Sequence, residues 1–178
     1  MVRTLVYNQI MKKIVLIGCP SSGKTTLGRE ISTKYSIPIL YLDKIFWITP
    51  KGISQEDFLK QQLEFMSSNP SWIIDGNFHN STSLGLRLES ANSIVVFDLP
   101  KIVVYWRFIK RLITTIGKKR EDMPNGRKET PSTVWGLAKY IWSFNNEKIM
   151  NKVTELDVED KVTIIKSLKS ESEYYRNI

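Results

Sequence analysis

An apolar run, Ile14-Val15-Leu16-Ile17, leads directly into G-C-P-S-S-G-K-T-T at 18–26, and a helix-forming stretch follows at 27–35. That order constrains the fold more than any other feature of the chain. A buried strand, a glycine-bearing turn and a helix start form the context in which successive backbone N–H groups point inward at phosphate oxygens. Gly18 and Gly23 give the turn its conformational freedom, Pro20, Ser21 and Ser22 make its body, and Thr26 closes it. The helix adds the positive end of its dipole. Lys24 is placed to reach the β- and γ-phosphates, and the Thr25 hydroxyl to complete the coordination of Mg²⁺. The segment implies a bound nucleoside triphosphate, read here as ATP with Mg²⁺.

Five short β-branched runs, at 13–17, 38–42, 72–74, 93–97 and 162–165, alternate with helical patterns. Such alternation implies crossover units and a parallel sheet covered on both faces, with ligands beyond the carboxyl ends of the strands. The second, third and fourth runs are followed by Asp43, Asp75 and Asp98. Asp98, before Leu-Pro and a helix, reads equally as a cap or as a site residue. Asp43 and Asp75 precede segments that do not read as direct helix caps. Both are expected at the γ-phosphate, Asp75 beside the metal and Asp43 orienting or deprotonating the acceptor.

Two segments read as insertions over the site. Residues 44–70 carry Phe46-Trp47 and one helix starting near Ser54, where S-Q-E-D resembles a capping signal. Residues 118–130, broken by Pro124 and Gly126, read as a short mobile lid. A helix at 101–116 is expected to bury Ile102, Tyr105, Ile109, Leu112 and Ile116 on one face. Arg107 and Arg111 fall opposite and, with Arg120, are placed to neutralise charge on a transferring phosphoryl group, while Lys118 reads as solvated. A second helix at 131–154 carries Trp135, Tyr140, Trp142 and Phe144, expected as core.

With 178 residues the chain suits a single domain. No apolar stretch approaches the length of a membrane span, so no membrane partner is expected. Cys19, the single cysteine, excludes an internal disulfide framework and fits a reducing cytosol. It reads as a small filler of the loop, with a lowered thiol pKa as the alternative. His79, the single histidine, makes no zinc set with one cysteine and reads as a surface loop residue. Met11-Lys12-Lys13 makes a natural start before the first strand, with 1–10 a poorly ordered extension; Met1 remains the other start. The net charge of +8 admits nucleic acid, an anionic surface or phosphorylated small molecules.

Taken in order, G-x-x-x-x-G-K-T, Tyr41-Leu42-Asp43 with Phe46-Trp47, W-I-I-D-G-N-F at 72–78, Arg87-Leu88-Glu89, Phe97-Asp98-Leu99-Pro100, the paired arginines, Arg120-Glu121-Asp122-Met123 and Trp142-Ser143-Phe144 resemble the bacterial DNA topology modulation proteins. These are an adenylate kinase-like branch of the P-loop kinases. The resemblance implies a three-layer α/β P-loop fold of the nucleoside and shikimate kinase type: a five-stranded parallel sheet, order 2-3-1-4-5, with a substrate insertion and a short lid. It also implies that Asp43 contacts substrate or metal, that Asp75 holds Mg²⁺ through water, and that Gly76 and Asn77 meet the substrate. Arg87 becomes a clamp on a substrate phosphate or carboxylate, Arg107 a substrate contact, and Arg111 and Arg120 lid arginines. Where adenylate kinases carry Phe-Pro-Arg, Asn77-Phe78-His79 stands here, which leaves the acceptor as a nucleoside monophosphate or another small metabolite. The leading expectation is an Mg²⁺- and ATP-dependent small-molecule kinase, monomeric or homodimeric. The rival is a nucleotide-regulated, DNA-associated protein without kinase activity, although the sequence contains no helix-turn-helix, zinc finger or continuous basic stripe.

Overall fold

A computed structural model describes residues 12–49, 51–79, 81–115 and 131–177. The expected extension at 1–10, Ile116 at the end of the expected 101–116 helix, the lid at 118–130 and Arg120 lie outside the described residues. Strands β1 (Lys13–Gly18), β2 (Ile39–Tyr41), β3 (Trp72–Asp75), β4 (Ser93–Phe97) and β5 (Val162–Ile165) form one sheet in the order β2-β3-β1-β4-β5, every pairing parallel. The three central strands are buried on both faces, and for that reason they read as unbroken apolar runs. The register brings Leu16 and Tyr41 level with Asp75, and Gly18 level with Phe97. All four strand ends therefore open onto one rim.

Helices α1 (Lys24–Tyr35), α2 (Leu42–Phe46), α3 (Gln55–Ser68), α4 (Ser83–Ser90), α5 (Lys101–Thr115), α6 (Pro131–Ser143), α7 (Glu147–Glu155) and α8 (Leu168–Asn177) complete the fold. Helix α1 packs across β1, β2 and β3, α4 against β1 and α8 against β5. The capping signal at Ser54 is realised: its hydroxyl accepts from the Asp57 N–H at 3.0 Å and opens α3.

Several expectations change. Asp43 does not trail from a strand into a loop. It sits in the first turn of α2, which begins at once after β2. The helix expected over 131–154 is two helices, broken where Asn146 turns its side-chain amide onto Asp98 Oδ1 at 2.9 Å and the Phe97 carbonyl at 3.4 Å. On α5 the buried positions are Val104 and Phe108, whereas Ile102 and Ile109 are exposed. That helix is apolar over most of its circumference, so periodicity alone did not decide which side meets the sheet. Of the aromatic residues on the last long segment only Phe144 is core; Trp135 and Trp142 are exposed. Cys19 is buried, and burial raises its thiol pKa, opposite to the reactive alternative.

Candidate active site

The loop after β1 is tight for a steric reason. Gly18 has φ +143°, and a Cβ there would lie 2.5 Å from the Phe97 carbonyl oxygen. Gly23, at φ +111°, holds a backbone conformation that residues with a Cβ rarely adopt, and a Cβ there would press on the Arg107 guanidinium at 2.9 Å. Between them Ser22 N–H bonds the Cys19 carbonyl at 3.1 Å, and Ser21 adopts φ +63°. Ser21 Oγ and Ser22 Oγ are buried without a hydrogen-bond partner among the described residues. A cradle built for anionic oxygens leaves such donors over.

Lys24 is the first residue of α1, and its Nζ donates to the carbonyls of Gly18 and Cys19, each at 2.8 Å. Burial pulls its pKa below the ordinary lysine value; Asp75, Cys19 and Asp43 draw it back up, and Arg111 adds to the lowering. On the adjacent residue, Thr25 Oγ1 donates to Asp75 Oδ2 at 2.5 Å. Next to it, Asn77 Oδ1 accepts from the Gly18 N–H at 2.8 Å, and the Gly76 N–H bonds the Leu16 carbonyl at 3.2 Å. The end of β3 is thus stapled to the phosphate loop. Among the described residues no group of three His, Cys, Asp or Glu could hold a metal unaided. A hydroxyl beside one carboxylate nonetheless fits Mg²⁺, which keeps several waters and takes few protein ligands beside phosphate oxygens.

A cleft of about 570 Å³ opens over this rim. Pro20, Ser21, Lys24, Thr25, Asp75, Gly76 and Asn77 line one part, with Asp43 and Arg111 beside them. Further out it is walled by Tyr41, Phe46, Trp47, Gln55, Phe78, His79, Ser81, Leu137 and Tyr140. The aromatic wall is continuous: the Phe46 ring lies 4.8 Å from Trp47 and 4.9 Å from Phe78. His79 lines the cleft rather than a free surface, and burial lowers its pKa, with Lys148 adding to the effect. Thr26 is exposed on α1 and does not line the cleft.

Two expected substrate contacts stand elsewhere. Arg87, on α4, is fully buried beneath the Asp75-Gly76-Asn77 turn. It donates to the carbonyls of Asn77 (3.0 Å), Gly76 (3.2 Å), Ser83 (3.3 Å) and Phe78 (3.4 Å), so it holds backbone rather than lining the cleft. Phe78 has φ +38°, a strained value for a bulky residue, and Arg87 and Ser81 both bond its carbonyl. Arg107 reaches the phosphate loop from outside the cleft. It bonds the Ser22 carbonyl at 2.5 Å and grips both oxygens of Glu171, on α8, at 2.9 and 2.6 Å. Glu171 braces the nucleotide loop from near the end of the chain, and no local sequence signal marks it. Gln55, Ser81 and Leu137 were equally unmarked, whereas Phe78 and His79 follow directly on the D-G-N turn.

The fold and this rim define a P-loop nucleotide-binding protein with a kinase-type cleft. Helices long and apolar enough to cross a membrane are absent among the described residues. No family profile matches the chain. Against characterised proteins, it is 33% identical over 123 residues to a shikimate kinase of Clostridium botulinum (strain 657 / Type Ba4), covering 63% of this chain and 69% of that protein. The chain belongs to the family of that enzyme, the shikimate kinase-like P-loop kinases. The structure of a gluconokinase from Sinorhizobium meliloti 1021 superposes with a TM-score of 0.52 at 13% identity, covering 94% of this chain and 98% of that one, and shares the fold. A shikimate kinase from Bacteroides thetaiotaomicron aligns over 93% and 95% of the two chains at 16% identity and a TM-score of 0.47. The Clostridium relative is a small-molecule kinase, and phosphoryl transfer is the activity it supports.

Proposed function

We propose that the protein transfers the γ-phosphoryl group of ATP to a hydroxyl of a small metabolite, with Mg²⁺. The observation that carries this reading is the convergence of Lys24, the Thr25–Asp75 pair and Asp43 on one cleft. In place, Mg-ATP supplies the electrophilic phosphorus and a metal ion that offsets phosphate charge. The residues of this chain do the positioning, which is most of what phosphoryl transfer demands. Ser21, Ser22 and the loop N–H groups hold phosphate oxygens. Lys24 exchanges its two carbonyl partners for phosphate and gives them positive charge in a dry setting. Thr25 and Asp75 would hold the metal. Asp43 lies near enough to Lys24 to act on its charge and orients the acceptor hydroxyl or takes its proton. Arg111 faces the same cleft and neutralises charge as the group moves; Arg120 is proposed for the same task.

The acceptor end combines rings with one carboxylate, which suits a hydroxylated molecule that has an apolar face. The name of the curated relative makes shikimate an acceptor to try, beside gluconate and nucleoside monophosphates. The DNA-associated alternative draws no support from these relatives.

The test is ADP release and direct product detection with Mg-ATP and that acceptor panel, using Lys24→Ala as control. Lys24-dependent phosphorylation of one acceptor is the expected result. Transfer to none of them, together with salt-sensitive DNA binding, would overturn the proposal.

A further inference from the structure

Helix α5 has four sides, and three have partners among the described residues. Val104 and Phe108 are buried in the core. Tyr105 donates to the Ala138 carbonyl at 2.6 Å, and Lys101 to the carbonyls of Ile141 (2.9 Å) and Phe144, so that side holds α6. Arg107 and Arg111 turn toward the phosphate loop and the cleft. The fourth side carries Ile102, Trp106, Ile109 and Ile113, which are 79, 67, 48 and 70% exposed. The bonds from residues 101 and 105 to 141 and 138 set α6 antiparallel to α5. Its own exposed ridge bears Trp135 and Trp142, 65 and 72% exposed, and the Trp142 ring lies 6.1 Å from Tyr105. Three of the chain's five tryptophans are on this face. An apolar surface of this extent marks an interaction site.

We propose that this face is where a second copy of the chain docks, α5 against α5, in a two-fold symmetric pair. The spacing of the stripe, four-three-four, is that of a helix-to-helix seam, in which each side chain enters a gap on the facing helix. A two-fold interface must complement itself, and the stripe contains no charged side chain, so two copies of a strongly basic chain meet there without like charges in contact. Its edges carry Lys110 and Lys139. The six exposed side chains offer on the order of 800 Å² per protomer, which is what each partner of a standard interface contributes. A lipid surface suits the face less well, because an interfacial helix sets a row of cations beside its apolar side. Here Lys110 and Lys139 stand singly at the two edges and make no row, while Lys101 and Arg107 are taken up by α6 carbonyls, Ser22 and Glu171, and Arg111 faces the cleft. Docking would also steady the helix whose opposite side braces the nucleotide loop.

Sedimentation velocity on the full chain is the test. The expected mass at tens of micromolar is about 41 kDa, twice the 20.6 kDa of the single chain. Trp106→Glu with Ile113→Glu, and separately Trp142→Glu, should each weaken association roughly thirty-fold or more, as loss of a central tryptophan does, with circular dichroism unchanged. Hydrogen exchange on the wild-type chain at two concentrations needs no variant: protection of 101–113 that grows with concentration supports the pairing. A wild type that stays at the single-chain mass, a pair that survives both sets of substitutions, or a single chain that co-sediments with phosphatidylserine vesicles would each overturn it.

Discussion

Replacing Arg87 separates a support from a clamp. In Arg87→Met the turn after β3 loses its two well-placed charge-assisted bonds, to the carbonyls of Asn77 at 3.0 Å and Gly76 at 3.2 Å. Bonds of that kind contribute about 1.5–3 kcal/mol each. The contacts at 3.3 and 3.4 Å add little. Against this stands the cost of burying a guanidinium, visible in its pKa, which burial lowers to about 9 and which still leaves it charged at neutral pH. Methionine avoids part of that cost. The balance is a loss of about 2–4 kcal/mol, or roughly 5–12 °C in melting temperature for a chain of this size. Arg87→Lys should be nearly as costly, since a compact ammonium cannot span carbonyls on three successive residues. Urea and thermal unfolding followed by circular dichroism measure the loss, with ATP affinity and acceptor KM determined in parallel. Wild-type melting combined with a raised acceptor KM in both variants would refute the support role and restore the clamp.

Other outcomes follow from the same contacts. Glu171→Gln weakens a partly buried pair, so it should cost about 1–3 kcal/mol and, by loosening Ser22, raise the Kd for ATP several-fold; an unchanged Kd would break the proposed link from α8 to the loop. Burial holds the pKa of Lys24 below 10.5, so between its folded value and 10.5 the unfolded chain binds the additional proton and stability rises with pH. Tyr175 acts in the opposite sense, because its folded pKa, pushed up to about 12 chiefly by burial, makes stability fall with pH above about 10. Urea midpoints on approach to pH 10.5 should therefore climb more steeply in the wild type than in Lys24→Met, Arg87 adding the same rise to both; equal slopes would contradict the buried charge.

Much of the frame is legible in the residues because its causes are local. The central strands are apolar throughout since both faces are covered, and the strand-loop-helix order around Gly18 places the cradle without reference to the rest of the chain. Ser54 marks the start of α3 because capping acts over three residues. Legibility failed where partners are distant. The family resemblance implied that Arg87, a little beyond D-G-N, clamps a substrate anion, yet the carbonyls of Gly76, Asn77 and Phe78 that it meets belong to the turn itself. The faces of α5 were misread because its apolar residues nearly encircle it.

The sequence by itself determined the frame of the rim: the buried strand, glycine turn and helix start that carry Lys24 and Thr25, and the parallel sheet that brings Asp75 beside them. Periodicity and short-range sterics suffice for these. Only the tertiary structure decided the use of the arginines, with Arg87 supporting a turn, Arg107 tied to Glu171 and Arg111 facing the cleft. It alone exposed the apolar side of α5 beside two tryptophans of α6. A side chain's task depends on which carbonyl, carboxylate or solvent it meets, and those neighbours are set by packing between segments far apart in the chain.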